Sequence, residues 1–246
     1  MAKQATKEKG KGKEAAGRDV RLSQSAYSAL KKRILMGAIP PLGAIDEHAL
    51  RDELGLGRTP IREALQRLAY DGLVTILPYR GTVATGIDMA ELDQILEIRI
   101  PLEILAGRIA AQRVSKQAVG EMRALVEGYD VAALCADRKI GELLRLDQNF
   151  HHAVTAVTEN RFLVRILDNL RDMTWRFHFL FYKRRAPHPT DSFNNYGAII
   201  QGLASHDAER VEAALNDHFG DYRRIFPGEP SASGAVTSSR RKGRAR

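Results

Sequence analysis

Between residues 22 and 85 the spacing of the apolar residues changes in a way that leaves few folds open. Ala26, Ala29, Leu30, Ile34 and Leu35 recur at helical intervals from Leu22 to Met36, and Lys31, Lys32 and Arg33 fill the opposite side. The run from Gly37 to Gly43, with Pro40 and Pro41 adjacent, stops that helix. A second helix starts after Asp46, a suitable N-cap, carries Leu50 and Leu54, and ends at Gly55. Leu56-Gly57 leads into a third helix, Arg58 to Tyr70, closed by Asp71-Gly72. Leu73–Leu77 and Thr82–Thr85 then read as two short strands joined by Pro78-Tyr79-Arg80-Gly81. Three helices, the last two joined by a tight Gly-containing turn, and a hairpin describe a winged helix-turn-helix.

From Asp88 onward only helical periodicity remains. Six segments, at about 88–113, 115–136, 140–158, 160–183, 190–204 and 207–226, suggest an antiparallel helical bundle. The fold expected is mainly α: a winged helix-turn-helix over residues 20–85 and an all-helical domain over 86–226. The flanks, 1–19 and 227–246, read as disordered basic arms. Charge follows the same division. The chain carries +8 overall, but the arms hold +3 and +4, residues 20–85 hold +3 and residues 86–226 hold −2. Whole-chain charge therefore says little about the folded body. The single cysteine, Cys135, fits a reducing compartment, and no apolar run reaches the roughly 18 residues of a membrane span. The N-terminal run has no apolar core of a secretory signal, so a cytoplasmic protein is expected.

On the third helix Ile61, Ala64, Leu65 and Leu68 share one side, and Thr59, Arg62 and Gln66 lie away from them. Arg58 and Arg62 stand one turn apart near its N-terminal end, where arginine can bond guanine bidentately or grip phosphate. Arg80 and Gly81 at the hairpin tip would bring a cation and bare backbone to the adjacent minor groove. The segment from Asp46 to Leu68, with its Arg58-Thr59-Pro60-Ile61-Arg62-Glu63-Ala64-Leu65 core, then Asp71-Gly72-Leu73-Val74 and Arg80-Gly81, resembles the DNA-binding domain of the GntR family of bacterial transcription regulators. The resemblance implies operator contacts by Arg58, Thr59 and Arg62 and a wing tip at Gly81. His48 stands where many members have a DNA-contacting arginine, and Gly57 where a serine is usual. Both departures point to an altered operator preference.

In the bundle, Asp147 and His151 lie four apart on the edge of the arc made by Leu143, Leu146, Phe150, Val154 and Val157, while His152 points the other way. His218 sits among Val211, Ala214 and Leu215 and should face inward. A carboxylate and two imidazoles can hold Zn²⁺ or a similar ion with positions left open. An Asp-x3-His pair alone is more commonly a structural hydrogen bond. Arg99, on the stripe of Leu92, Leu96, Ala106 and Ala110, needs an anion when buried. Glu103 is the plain partner, and an effector carboxylate the sharper one. Arg99-Ile100-Pro101-Leu102-Glu103, Asp147-Gln148-Asn149-Phe150-His151 with Asn160, and Asp207 leading to His218 are similar to the FCD effector domain of FadR-type GntR regulators. The resemblance implies a divalent metal, held by Asp147, His151 and His218, and a small organic acid as effector. Its fourth ligand position falls on Tyr196, a poor ligand when neutral. Asn169 and Arg165, a turn apart, are further candidates to line the effector cavity. The aromatic residues Trp175, Phe177, Phe179, Phe181 and Tyr182 read as packing rather than as a ligand cage.

The expectation is a homodimeric repressor on a pseudo-palindromic operator, released by a small organic acid. Two other classes compete. A metal-dependent hydrolase of a small carboxylate lacks a placed base or nucleophile and leaves the Arg58–Leu65 motif unexplained. A non-specific nucleic-acid binder run by its basic arms would owe nothing to residues 20–85.

Overall fold

The computed structural model describes residues 20–184 and 196–225, and the side chains of 221–225 are outside that description. The expected disordered arms, 1–19 and 227–246, and the start of the segment expected at 190–204 lie outside the described residues.

The N-terminal domain follows the expected order. Helix α1 (20–35) buries Ala26, Tyr27, Leu30, Ile34 and Leu35. Helix α2 (Glu47–Leu54) is capped by Asp46, whose side chain accepts from the backbone N–H groups of His48 and Ala49 at 2.8 and 3.0 Å. It ends at Gly55, whose φ of +63° is the left-handed conformation that frees the chain to turn into α3 (Arg58–Tyr70). Gly57 starts α3 with no side-chain cap, since glycine has no side-chain oxygen to accept from the first turn. Strands β2 (Val74–Leu77) and β3 (Gly81–Ala84) pair antiparallel, Val74 opposite Ala84 and Leu77 opposite Gly81. The wing is larger than the two-stranded hairpin expected. A two-residue strand, β1 (Ala44–Ile45), joins it at β3, giving the order β1-β3-β2. Two residues between Pro41 and Asp46 are too short a run for periodicity to reveal.

The C-terminal bundle holds α4 (Met89–Arg113), α5 (Lys116–Glu127), α6 (Val131–Ala136), α7 (Ile140–Ala156), α8 (Arg161–Arg184), α9 (Tyr196–Ala204) and α10 (Ala208–Ile225). That is seven helices among the described residues, where six were expected. The segment expected at 115–136 divides at Gly128, and Asp130 caps a new helix by accepting from Ala133 N at 2.9 Å. Close approach of α10 to α4 and α9 depends on two glycines. A Cβ on Gly107 would lie 2.5 Å from Leu215 Cδ1 and 2.9 Å from Val211 Cγ1, and one on Gly202 would lie 2.8 Å from Val211 Cγ2. This tight contact carries His218 of α10 into the bundle interior.

One helix joins the two domains. From α8, Trp175 Nε1 donates to Leu35 O at 3.0 Å, Asn169 Nδ2 donates to Asp71 O at 3.0 Å, Arg176 donates to Thr85 O, and Asp172 pairs with Lys31. Trp175, Phe177 and Tyr182 are buried and Phe179 and Phe181 pack against the core, as a packing role requires.

Candidate metal centre and nucleic-acid interface

Asp147 and His151 project from the same edge of α7, and α10 brings His218 against them. His151 Nε2 and His218 Nε2 face each other at 3.0 Å, and Asp147 Oδ1 lies 3.6 and 3.7 Å from them. Both histidines are 1% exposed and Asp147 is 15% exposed. Donors about 2.1 Å from one shared ion would be roughly 3.0 Å apart at right angles and roughly 3.4 Å apart at tetrahedral angles. The observed spacings fall within a few tenths of an ångström of that, so Asp147, His151 and His218 form a group that could hold a metal ion. His152, as expected, points away, half exposed and 2.9 Å from Asp168.

Electrostatics favour the protonation state that ligation needs. Burial first, then the nearby His151 and Arg99, push His218 down to about 3 against the opposite pull of Asp147 and Glu103, so its imidazole is neutral at ordinary pH. Burial by itself would raise the Asp147 carboxyl; His151, His218 and Arg99 outweigh it and hold it below the usual carboxylate value. Glu103 Oε2 lies 3.3 Å from His151 Nδ1. A carboxylate there favours the tautomer with the proton on Nδ1, which leaves the Nε2 lone pair aimed at the centre.

Arg99 is 2% exposed and takes the plain partner: its Nε lies 3.3 Å from Glu103 Oε1, and its Nη1 donates to Thr174 Oγ1 at 2.9 Å. Its Nη2 is 4.0 Å from Asp147 Oδ2 and makes no hydrogen bond among the described residues. One edge of the guanidinium therefore borders the centre with a long ion pair to Asp147 and no hydrogen bond among the described residues. Tyr196, 1% exposed on α9, donates its hydroxyl proton to Asp147 Oδ1 at 3.1 Å.

Asn169 and Arg165 are not part of this centre. Asn169 is committed to the Asp71 carbonyl, Arg165 stacks near the Phe162 ring, and both line a separate cleft of about 1390 Å³ between α1, α7 and α8. Helical spacing put them on one face of α8, but that face turns toward the DNA-binding domain. Sequence reasoning missed Arg171. It is 3% exposed, donates to both Glu103 oxygens at 2.8 and 2.9 Å and to His151 O at 3.0 Å, and so builds the wall behind His151. A signal existed: Arg171 continues the buried stripe of Leu163 and Leu167 and is followed by Thr174 and His178, the same pattern that exposed Arg99.

The N-terminal face is arranged differently. Arg58, Thr59, Arg62 and Gln66 are exposed on α3, while Pro60, Ile61, Ala64, Leu65 and Leu68 are buried. His48 is exposed on α2. Arg80 and Gly81 are exposed at the wing tip, where Gly81 has φ +87° and open space around it. Tyr79, also with positive φ, stands fully exposed beside them. Among the described residues Arg58, Arg62 and Arg80 enter no ion pair, so their charge is available to a polyanion.

Residues 22–83 match the gntR family of bacterial regulatory proteins, and residues 94–221, more than half of the chain, match the FCD domain. The chain belongs to the GntR family. It is a transcriptional regulator with an FCD domain, and its family and relatives are regulators rather than enzymes. Among its relatives is a probable D-xylose utilization operon transcriptional repressor of Paenarthrobacter nicotinovorans, 30% identical over 81% of this chain and 85% of that protein. The HTH-type transcriptional repressor RspR of Escherichia coli K12 is 25% identical over 80% of this chain and 85% of that one. The solved structure of E. coli McbR/YncC shares the fold, with a TM-score of 0.75 at 21% identity over 84% of this chain and 97% of that one. GntR regulators bind operator DNA and small-molecule effectors, and dimers are typical of them. Among the described residues no helix is long and apolar enough to cross a membrane.

Proposed function

We propose that this GntR regulator is a homodimeric repressor. It binds a pseudo-palindromic operator through residues 20–85 and releases it when a small organic acid binds in the helical domain, residues 86–226. Arg58, Thr59, Arg62 and Gln66 read or grip the major groove, His48 touches the flanking backbone, and Arg80 and Gly81 enter the minor groove. The acid binds at a Zn²⁺ ion held by Asp147, His151 and His218, with its carboxylate on Arg99. When bound, the ion supplies a Lewis-acidic anchor for the acid's oxygens. The observation that carries this reading is the edge of a buried arginine, free of hydrogen bonds among the described residues, that faces three convergent metal-type donors.

Helix α8 supplies the link between the two sites. Arg171 and Thr174 hold Glu103 and Arg99 at the centre, while Asn169, Asp172, Trp175 and Arg176 hold the DNA-binding domain. These residues occupy two faces of one rigid helix, so a shift that admits the acid is carried to the operator-reading face. The acid can change operator affinity only by as much as it prefers one arrangement over the other.

A second copy of the chain is proposed to cover one exposed apolar strip. Ile98, Leu102 and Leu105 on α4 and Phe162 and Ile166 on α8 are neighbours, since Leu102 packs on Leu163 and Leu167, and four of the five are close to half exposed. Exposed Glu97 lies at one end and Arg161 and Arg165 at the other. An antiparallel two-fold pairing of α4 brings the acidic end of each copy to the basic end of its partner. The test of the effector reading is operator binding by Zn²⁺-loaded protein titrated with a panel of hydroxy and sugar acids. One member should weaken binding at least about fivefold, and Arg99→Met should abolish that response. A full panel without effect on DNA or on melting would discard the acid.

A further inference from the structure

Tyr196 is among the largest fully buried side chains among the described residues, and it lies against the cluster of Asp147, His151 and His218. Its ring centroid is 4.5 Å from that of Phe150 and 5.7 Å from that of His218. Its hydroxyl donates to Asp147 Oδ1, the oxygen nearest the two imidazoles. A carboxylate oxygen has two lone pairs. The phenol takes one of them, leaving the other for the centre, and the second oxygen, Oδ2, is the one nearest Arg99. Asp147 thus offers the centre one oxygen, and the phenol, with its proton committed, adds no donor of its own.

Three protein donors do not close a coordination sphere, which for the ions that suit such ligands holds four to six. The rest must come from outside the protein. We infer that Tyr196 is a positioning residue that fixes Asp147 as a one-oxygen ligand and keeps the centre at three protein donors. Metal and an oxygen-chelating anion are then bound as a pair, each strengthening the other. This rests on the metal reading above and adds a rule of regulation to it. Because coupling between two ligands is reciprocal, a chelator that tightens the metal tenfold is itself tightened tenfold by the metal. The regulator then answers to the acid only where the ion is available, and it does not carry the ion as a permanent fixture.

The experiment uses the full chain and Co²⁺, followed by its visible absorbance. Oxalate serves as the two-oxygen probe and acetate as the one-oxygen control, with Co²⁺ binding by oxalate in solution accounted for. Wild type should gain about tenfold in Co²⁺ affinity at saturating oxalate and nothing from acetate. Tyr196→Phe, which leaves Asp147 without its donor, should lose about tenfold in Co²⁺ affinity, the lower end of what losing an outer-shell partner costs. Tyr196→His should bind Co²⁺ alone about tenfold more tightly than wild type, give the more intense bands of a four-coordinate ion, and gain little from oxalate. The two variants are independent, so one that misfolds leaves the other to decide. Co²⁺ binding and oxalate gain unchanged in the folded variants would overturn the inference while leaving the metal site standing. Failure of wild type to bind Co²⁺ more tightly than Asp147→Ala would instead remove the metal reading, and this inference with it.

Discussion

Replacing Arg171 with methionine removes the cation on which the buried wall of the centre depends. Arg171 donates to Glu103 Oε1 and Oε2, to His151 O and to Thr155 Oγ1, and both it and Glu103 have side chains only 1% exposed. In Arg171→Met, Glu103 keeps, among the described residues, only Arg99 Nε and His151 Nδ1, each at 3.3 Å. Breaking a buried pair from one side costs about 3–5 kcal/mol, because the remaining charge stays desolvated. Glu103→Leu should cost a similar amount, since it leaves the buried Arg171 only the part-exposed Asp168 as a counter-ion among the described residues. The double variant strands neither member of this pair, so its destabilisation should fall short of the sum of the singles by at least about 2 kcal/mol. It should not return to wild type, since Arg99 loses its carboxylate too. Urea unfolding of the metal-free protein, with all four chains at one pH and concentration, gives the cycle. Additivity within about 0.5 kcal/mol would instead mean that the two side chains do not share an energy and that Arg171 is not what sustains the Glu103 carboxylate.

Three shorter predictions accompany it. Arg62→Ala should weaken operator binding by about 1–3 kcal/mol if it reads a base, and Arg80→Ala should instead flatten the salt dependence, both readable by fluorescence anisotropy over a salt series. Burial, with Arg99 next for His178 and His151 next for His218, holds these two imidazoles at about 3. Unfolding lets both take up protons from about pH 6.5 downward, so their contribution is complete above that pH and is lost as the pH falls toward 3. In metal-free protein the two imidazoles should therefore contribute a loss of at most about 2.7 kcal/mol per pH unit between pH 5.5 and 4.5, and His178→Gln should remove about half of that contribution; a flat profile would count against neutral buried imidazoles. Ile98→Lys with Leu105→Glu should convert a dimer to a monomer in sedimentation without loss of helicity, and an unchanged dimer would move the interface elsewhere.

The parts legible in the sequence are those fixed by short-range rules. Asp46, Gly55 and the apolar set Ile61, Ala64, Leu65 and Leu68 mark α2 and α3 through capping and period alone. Asp147 and His151 share an edge because they are four apart on a helix, and Arg99 announces itself as a charge on an apolar stripe. What stayed hidden depends on contacts distant in sequence. Pairing of Ala44–Ile45 with β3 spans nearly forty residues. That Asn169 is spent on Asp71, 98 residues away, is decided by how the domains dock. Arg171 was visible in principle, yet its two-oxygen grip on Glu103 depends on α4 and α8 lying side by side.

Competition on DNA decides whether the protein is a sequence-specific regulator whose reading face is α3 and the wing. Fragments from the gene's own promoter region compete with random duplex at physiological salt. A pseudo-palindromic fragment should bind about a thousandfold or more tightly than random DNA. That preference should survive deletion of residues 1–19 and 227–246 and be lost in Arg58→Ala with Arg62→Ala. Equal affinity for all fragments, or a preference that disappears with the basic arms, would contradict it.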